Sequence, residues 1–184
     1  MHLTSPAFSH NGKIPSKYTC DGANINPELH ISDVPHNAKS LALIFDDPDI
    51  PDFVREKFKV QAWDHWVVFN MPTNITTIKE NSQPNGTPGK NTSAGLGYQG
   101  PCPPDREHRY FFKVYALDSM LSLKNGATKA DVEKAIQGHI LEKAELVGRY
   151  ERVKIMPTPS TATFCAQRKS LTKKAGIRCA QPTG

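Results

Sequence analysis

Three short stretches bring together side chains able to do chemistry: Asp47-Pro48-Asp49-Ile50-Pro51, Trp63-Asp64-His65-Trp66 and His108-Arg109-Tyr110. Two imidazoles and a phenol set against a carboxylate suit recognition of a small anionic headgroup, with His and Tyr donating hydrogen bonds to phosphate oxygens. The carboxylate then serves a different purpose, either orienting and charge-stabilising a histidine or accepting hydrogen bonds from an amine on the ligand. The prolines around Asp47 and Asp49 would stiffen the walls and lower the entropy lost on binding. At an ordinary pKa of about 6.5, protonation of His65 and His108 would strengthen anion binding as pH falls. The bland alternative makes Trp63 and Trp66 core residues, Asp47 and Asp49 turn caps, and both histidines satisfied by neighbours; two histidines near strand ends discriminate only weakly between the two.

Other chemistries have less support. Cys102 lies six residues before His108; with Asp47 it would make the thiol, base and orienting acid of a Cys/His-dependent hydrolase. No cysteine-hydrolase signature surrounds it, and no G-x-S-x-G element exists for a serine hydrolase. Asp47, Asp49, His65 and His108 include donor types for Zn or Mn but lack any local ligand spacing, and Cys20, Cys102, Cys165 and Cys179 contain no C-x-x-C pair. Gly95-Leu96-Gly97-Tyr98-Gln99-Gly100 matches G-x-G-x-x-G, yet Pro101, Pro103 and Pro104 follow where a dinucleotide site needs a helix. We therefore expect a binding protein with no catalytic residues, no metal and no cofactor.

Positioning these residues falls to short strands. Fifteen prolines and twelve glycines in 184 residues disfavour long helices and favour a β-rich fold. Ser40 to Phe45, Trp66 to Met71 and Arg109 to Leu117 read as core strands, the first as an unbroken apolar run buried on both faces. Asp47 lies at the exit of the first, His65 and His108 at the starts of the others, where strand ends can converge. One helix is expected, with Thr128 as N-cap, Asp131 three residues on, Val132, Ile136, Ile140 and Val147 at near-helical spacing, and Gly148 as its end. Asn81 to Pro104, dense in Pro, Gly, Asn and Ser, reads as a functional loop.

The net charge of +5 belongs to the C-terminus: six of the 23 basic residues and none of the 18 acidic ones lie in 153–184, leaving residues 1–152 at −1. The core domain is thus not expected to bind nucleic acid. No run of eighteen apolar residues spans a membrane. The N-terminus shows no secretory pattern, so the default address is cytoplasmic, with free thiols and coincidental sequons at Asn74 and Asn91. In an oxidising compartment Cys165 and Cys179 could close a loop.

The order D-P-D-I-P at 47–51, W-D-H-W-V-V-F-N-M-P at 63–72 and G-Y-Q-G-P-C-P-P-x3-H-R-Y-F-F-K-V-Y-A-L-D at 97–118 resembles the phosphatidylethanolamine-binding protein family. Its bacterial and archaeal branch of Raf kinase inhibitor-like proteins is matched further by Tyr18-Thr19-Cys20-Asp21-Gly22 and G-H-I-L-E-K-A-E-L-V-G-R-Y. The resemblance runs from about residue 3 to about residue 152 and is taken to define a domain of residues 1–152. It implies a mainly β (α+β) fold, an antiparallel β-sandwich with a few peripheral helices, and a surface pocket for phosphate-type anions formed by Asp47, Asp49, Trp63, His65, Gly100, Pro101, His108 and Tyr110. The ligand it implies is a phosphorylated small molecule or phospholipid headgroup. The alternative it implies is a partner role, inhibiting a serine protease or modulating a kinase; homodimerisation is plausible by base rate. Where family members often have glycine before H-R-Y, this chain has Asp105-Arg106-Glu107, which adds charge at the pocket rim. The basic extension 153–184 has no counterpart, and we expect it to be weakly ordered or to dock only on a partner.

Overall fold

The computed structural model describes residues 1–152; the 153–184 extension, with Cys165 and Cys179, lies outside the described residues. The strands are β1 (His2–Thr4), β2 (Gly12–Lys13), β3 (Leu29–Ser32), β4 (Ser40–Asp47), β5 (Trp63–Met71), β6 (Thr77–Ile78), β7 (Thr87–Pro88), β8 (His108–Leu117) and β9 (Ile140–Tyr150), with helices α1 (Asp52–Phe58) and α2 (Lys129–Ala135). Six strands form one sheet in the order β2-β9-β8-β4-β5-β7, and three form a second, β1-β3-β6. The pairings among these strands are antiparallel except that of β2 with β9.

β4 sits between β8 and β5, and its alternation explains why S-L-A-L-I-F is apolar throughout. Leu41, Leu43 and Phe45 join the core shared with Leu3, Leu29, Ile31 and Ile78 of the small sheet. Ala42 and Ile44 point the other way, packing with Val67, Phe69 and the α2 residue Val132 and its neighbour Ile136. A strand covered on both faces has no position left for a polar residue until its end. There the two faces diverge: Asp46 turns toward α2, held by Lys113 Nζ at 2.7 Å and by Lys129 Nζ at 2.5 Å, while Asp47 turns toward the inter-sheet core.

Sequence and structure differ on the long helix. Thr128 and Asp131 do form a capping box, but α2 stops at Ala135, and Ile140–Tyr150 is the longest strand of the sheet. Gly138, at φ +79°, turns the chain; its left-handed conformation costs glycine nothing and other residues much. Thereafter β9 pairs with β8 along ten residues, from His108 opposite Tyr150 to Leu117 opposite Ile140.

Candidate ligand-binding site

A β-bulge creates the geometry of the site. Phe45 lies opposite Trp66 but Asp46 lies opposite Asp64, so His65 is an extra residue on β5. The extra residue puts His65 on the same side as Trp66, which strict alternation forbids. Its ring therefore packs against Phe45 and Tyr110, with centroids at 4.9 and 5.4 Å. Asp64 faces α2 instead, 3.3 Å from Lys129.

A cavity of about 220 Å³ opens beside this bulge, lined by Asp47, Trp63, His65 and Gly100 together with the apolar Ile50, Val54 and Phe58. Phe58 meets Trp63 edge-on at 5.0 Å. The α1 wall was not foreseen: D-F-V-R-E-K-F buries no residue of its own, so it shows no amphipathic signal. Arg55 secures it by donating to the carbonyls of Pro48, Ile50 and Gln61.

His108 is fully buried and held at both ring nitrogens: Nδ1 lies 2.6 Å from Asp47 Oδ2 and Nε2 2.8 Å from Asp105 Oδ1. Ionised carboxylates only accept hydrogen bonds, so both nitrogens donate and the ring is an imidazolium. Burial alone would push its pKa down, but Asp47 and Asp105 outweigh it and raise the value above the ordinary 6.5. Partial burial likewise opposes ionisation of Asp105, yet its hydrogen bonds from His108 and the Arg106 backbone hold its carboxyl below the usual range. Asp47 also receives the Asp49 N–H at 2.8 Å.

His65 behaves oppositely. Its Nδ1 donates to the Gln99 carbonyl at 2.8 Å, so Nε2 carries the lone pair, and that atom has no hydrogen-bond partner among the described residues. Burial lowers its pKa to about 4, so the ring is neutral at neutral pH. The expectation that both histidines titrate near 6.5 is thus corrected, because burial dominates one and two carboxylates the other. Tyr110 is completely buried and its hydroxyl also lacks a partner among the described residues.

The eight residues assigned by resemblance occupy one region in different ways. Asp47, Trp63, His65 and Gly100 line the cavity, while His108 and Tyr110 stand behind that wall. Asp49 is committed to Arg109, whose Nη2 and Nε lie at 2.7 and 2.8 Å and hold the carboxyl low; it braces the exit of β4 against β8. Pro101 accepts the Cys20 N–H through its carbonyl. Gly100 is needed for close approach: a Cβ there would lie 2.4 Å from the Tyr18 carbonyl oxygen. Asn91 organises the glycine-rich loop, donating to the Gly97 carbonyl and accepting from the Gly95 N–H, and no helix opens on Gly100.

Cys20 and Cys102 are joined in a disulfide. This corrects the expectation of free thiols and removes the nucleophile required by a Cys102/His108 hydrolase. The pairing, across 82 residues, leaves no local sequence pattern. Disulfides are the rule in oxidising compartments and uncommon in the cytosol. Among the described residues no helix is long and apolar enough to cross a membrane.

The fold is two-layered, with a small cavity at the ends of its central strands, Asp47 in the cavity's lining and His108 bonded behind it. The profile of the phosphatidylethanolamine-binding protein family matches residues 4–151, and the chain belongs to that family. A UPF0098 protein of Methanothermobacter thermautotrophicus is 51% identical over 158 residues, covering 83% of this chain and 99% of its own. The crystal structure of a phosphatidylethanolamine-binding protein homologue from Chlamydia trachomatis superposes with TM-score 0.78 at 48% identity, covering 82% of this chain and 97% of that one. Escherichia coli YbcL, described as a member of the mammalian family, gives 0.73 at 28% identity over 82% and 98% of the two chains.

Proposed function

We propose that the protein binds a small phosphorylated headgroup, a phospholipid's or a soluble one, in the cavity between the exit of β4 and the starts of β5 and β8, without turning it over. The observation that carries this reading is the row Asp47–His108–Asp105. A buried imidazolium has its inner N–H fixed by a buried carboxylate and its outer N–H held by an exposed one. Asp105 thus occupies the place that a phosphate oxygen would take, and an exposed carboxylate is exchangeable. The apolar walls from Ile50, Val54 and Phe58 suit the carbon skeleton that carries the phosphate.

Replacing His108 by glutamine or alanine removes the charged donor. Hydrogen bonds to charged groups contribute about 1.5–3 kcal/mol, so phosphoethanolamine affinity measured by calorimetry falls about tenfold or more. The amide spectrum of each variant establishes that it is folded. Unchanged affinity in a folded variant contradicts the reading. A second reading, docking of a protein partner, is favoured by α1, which exposes Phe53 (61%) and Phe58 (44%), the latter also lining the cavity; that activity would survive substitution of His108.

A further inference from the structure

An asparagine followed by glycine cyclises readily, because glycine carries no side chain to hinder its backbone nitrogen from reaching the preceding side-chain amide carbon. The chain has three such dipeptides, Asn11-Gly12, Asn85-Gly86 and Asn125-Gly126. All three asparagines are exposed, so exposure does not separate them. Their backbones do. The attacking nitrogen must be free, yet the Gly12 N–H donates to the Ser9 carbonyl at 2.7 Å and the Gly126 N–H to the Pro88 carbonyl at 2.9 Å. The Gly86 N–H has no acceptor among the described residues.

Sheet geometry explains the difference. β7 is the edge strand beside β5, Thr87 lies opposite Phe69, and the Gly89 N–H donates to the Val67 carbonyl at 2.8 Å. Residues 87 and 89 therefore turn their backbone groups toward β5, while 86 and 88 turn theirs to the open side. Pro88 has no N–H to leave there, which makes Gly86 the residue that presents one. Glycine is also needed at this position: a Cβ would lie 2.9 Å from Met71 Cγ, from the Phe69 carbonyl oxygen and from Val68 Cγ1.

We propose that Asn85 is a site of spontaneous deamidation and isomerisation in the folded protein, a modification from which Asn11 and Asn125 are protected. The Gly86 nitrogen loses its proton to solvent base and bonds to Asn85 Cγ; the Cγ–Nδ2 bond breaks, and ammonia leaves with a proton from solvent. Water then adds to either carbonyl of the resulting five-membered succinimide, and the ring opens to aspartate or to isoaspartate. Both products add a negative charge, and isoaspartate also lengthens the main chain by one carbon. Because Gly86 packs without slack against Val68, Phe69 and Met71, the longer chain loosens β7 from β5.

The test is to age the intact chain in mildly alkaline buffer, natively and in urea, and to follow each Asn-Gly peptide by mass spectrometry with fragmentation that distinguishes aspartate from isoaspartate. In the folded protein Asn85 should react roughly twofold to tenfold faster than Asn11 or Asn125, the worth of one hydrogen bond that must break before the nitrogen is free. In urea the three rates should converge. Asn11 or Asn125 reacting as fast as Asn85 in the folded chain overturns the assignment, and so does a lead for Asn85 that persists in urea, since the selectivity would then be local. Asn85→Gln, which would need a six-membered ring, should abolish the fast reaction. Amide exchange at Thr87 and Gly89 should be faster in the isoaspartate fraction than in fresh protein; equal exchange overturns the loosening of β7.

Discussion

His65 and His108 share one site, yet their surroundings drive them to opposite charge states. His108 has a carboxylate at each nitrogen, whereas His65 has a carbonyl at one and, among the described residues, no partner at the other. Because His65's folded-state pKa, about 4, lies below its unfolded value of about 6.5, its contribution to stability is fully present above pH 6.5 and is lost as pH falls through 4. The difference corresponds to roughly 3 kcal/mol. For His108, raised above 6.5, the sign reverses: its contribution is present below pH 6.5 and is lost as pH rises through the folded pKa. The His65 ring resonances should therefore stay flat between pH 8 and 5.5 in an NMR titration, while those of His108 report an imidazolium at pH 6.5. A His65 inflection near 6.5 would contradict the assignment.

At the scale of elements, the site depends on ties between segments remote in sequence. The Cys20–Cys102 disulfide, the Cys20 N–H to Pro101 carbonyl bond at 3.0 Å and the Gly100 N–H to Asn24 Oδ1 bond at 2.7 Å fasten the loop before β8 to the N-terminal segment. Closing so long a loop stabilises by about 4.5 kcal/mol in the chain-entropy account. The Cys20→Ser/Cys102→Ser protein should accordingly show a lower urea midpoint, and an unchanged midpoint would show that the hydrogen bonds alone hold the loop. None of these ties is visible in the sequence, because 82 residues separate the cysteines. β4 and β5 were readable there because burial on both faces left unbroken apolar runs, and β8 because its aromatic and β-branched residues mark a strand although one face is only partly buried. β9 was not: Val132, Ile136, Ile140 and Val147 fall near a helical period, and the first half of the strand is largely exposed, so no alternation marks it. His65 was found by type and position, but the bulge that turns it inward exists only in the register between strands.

For the whole molecule, the sheet places a charged row behind an otherwise apolar cavity, and membership of the phosphatidylethanolamine-binding protein family supports a ligand-binding role for that arrangement. The −1 charge of residues 1–152 gives no broad attraction for anions, so any anion binding has to come from this local geometry. The most direct measurement is a two-dimensional amide and histidine-ring NMR titration of the intact chain with phosphoethanolamine. Saturable shifts centred on the Gly100 amide, the His65 and His108 rings and the Pro104–Glu107 segment, absent in folded His108→Gln, are the predicted result. No shifts at that site, or shifts confined to the three-stranded sheet or to α2, would contradict the account.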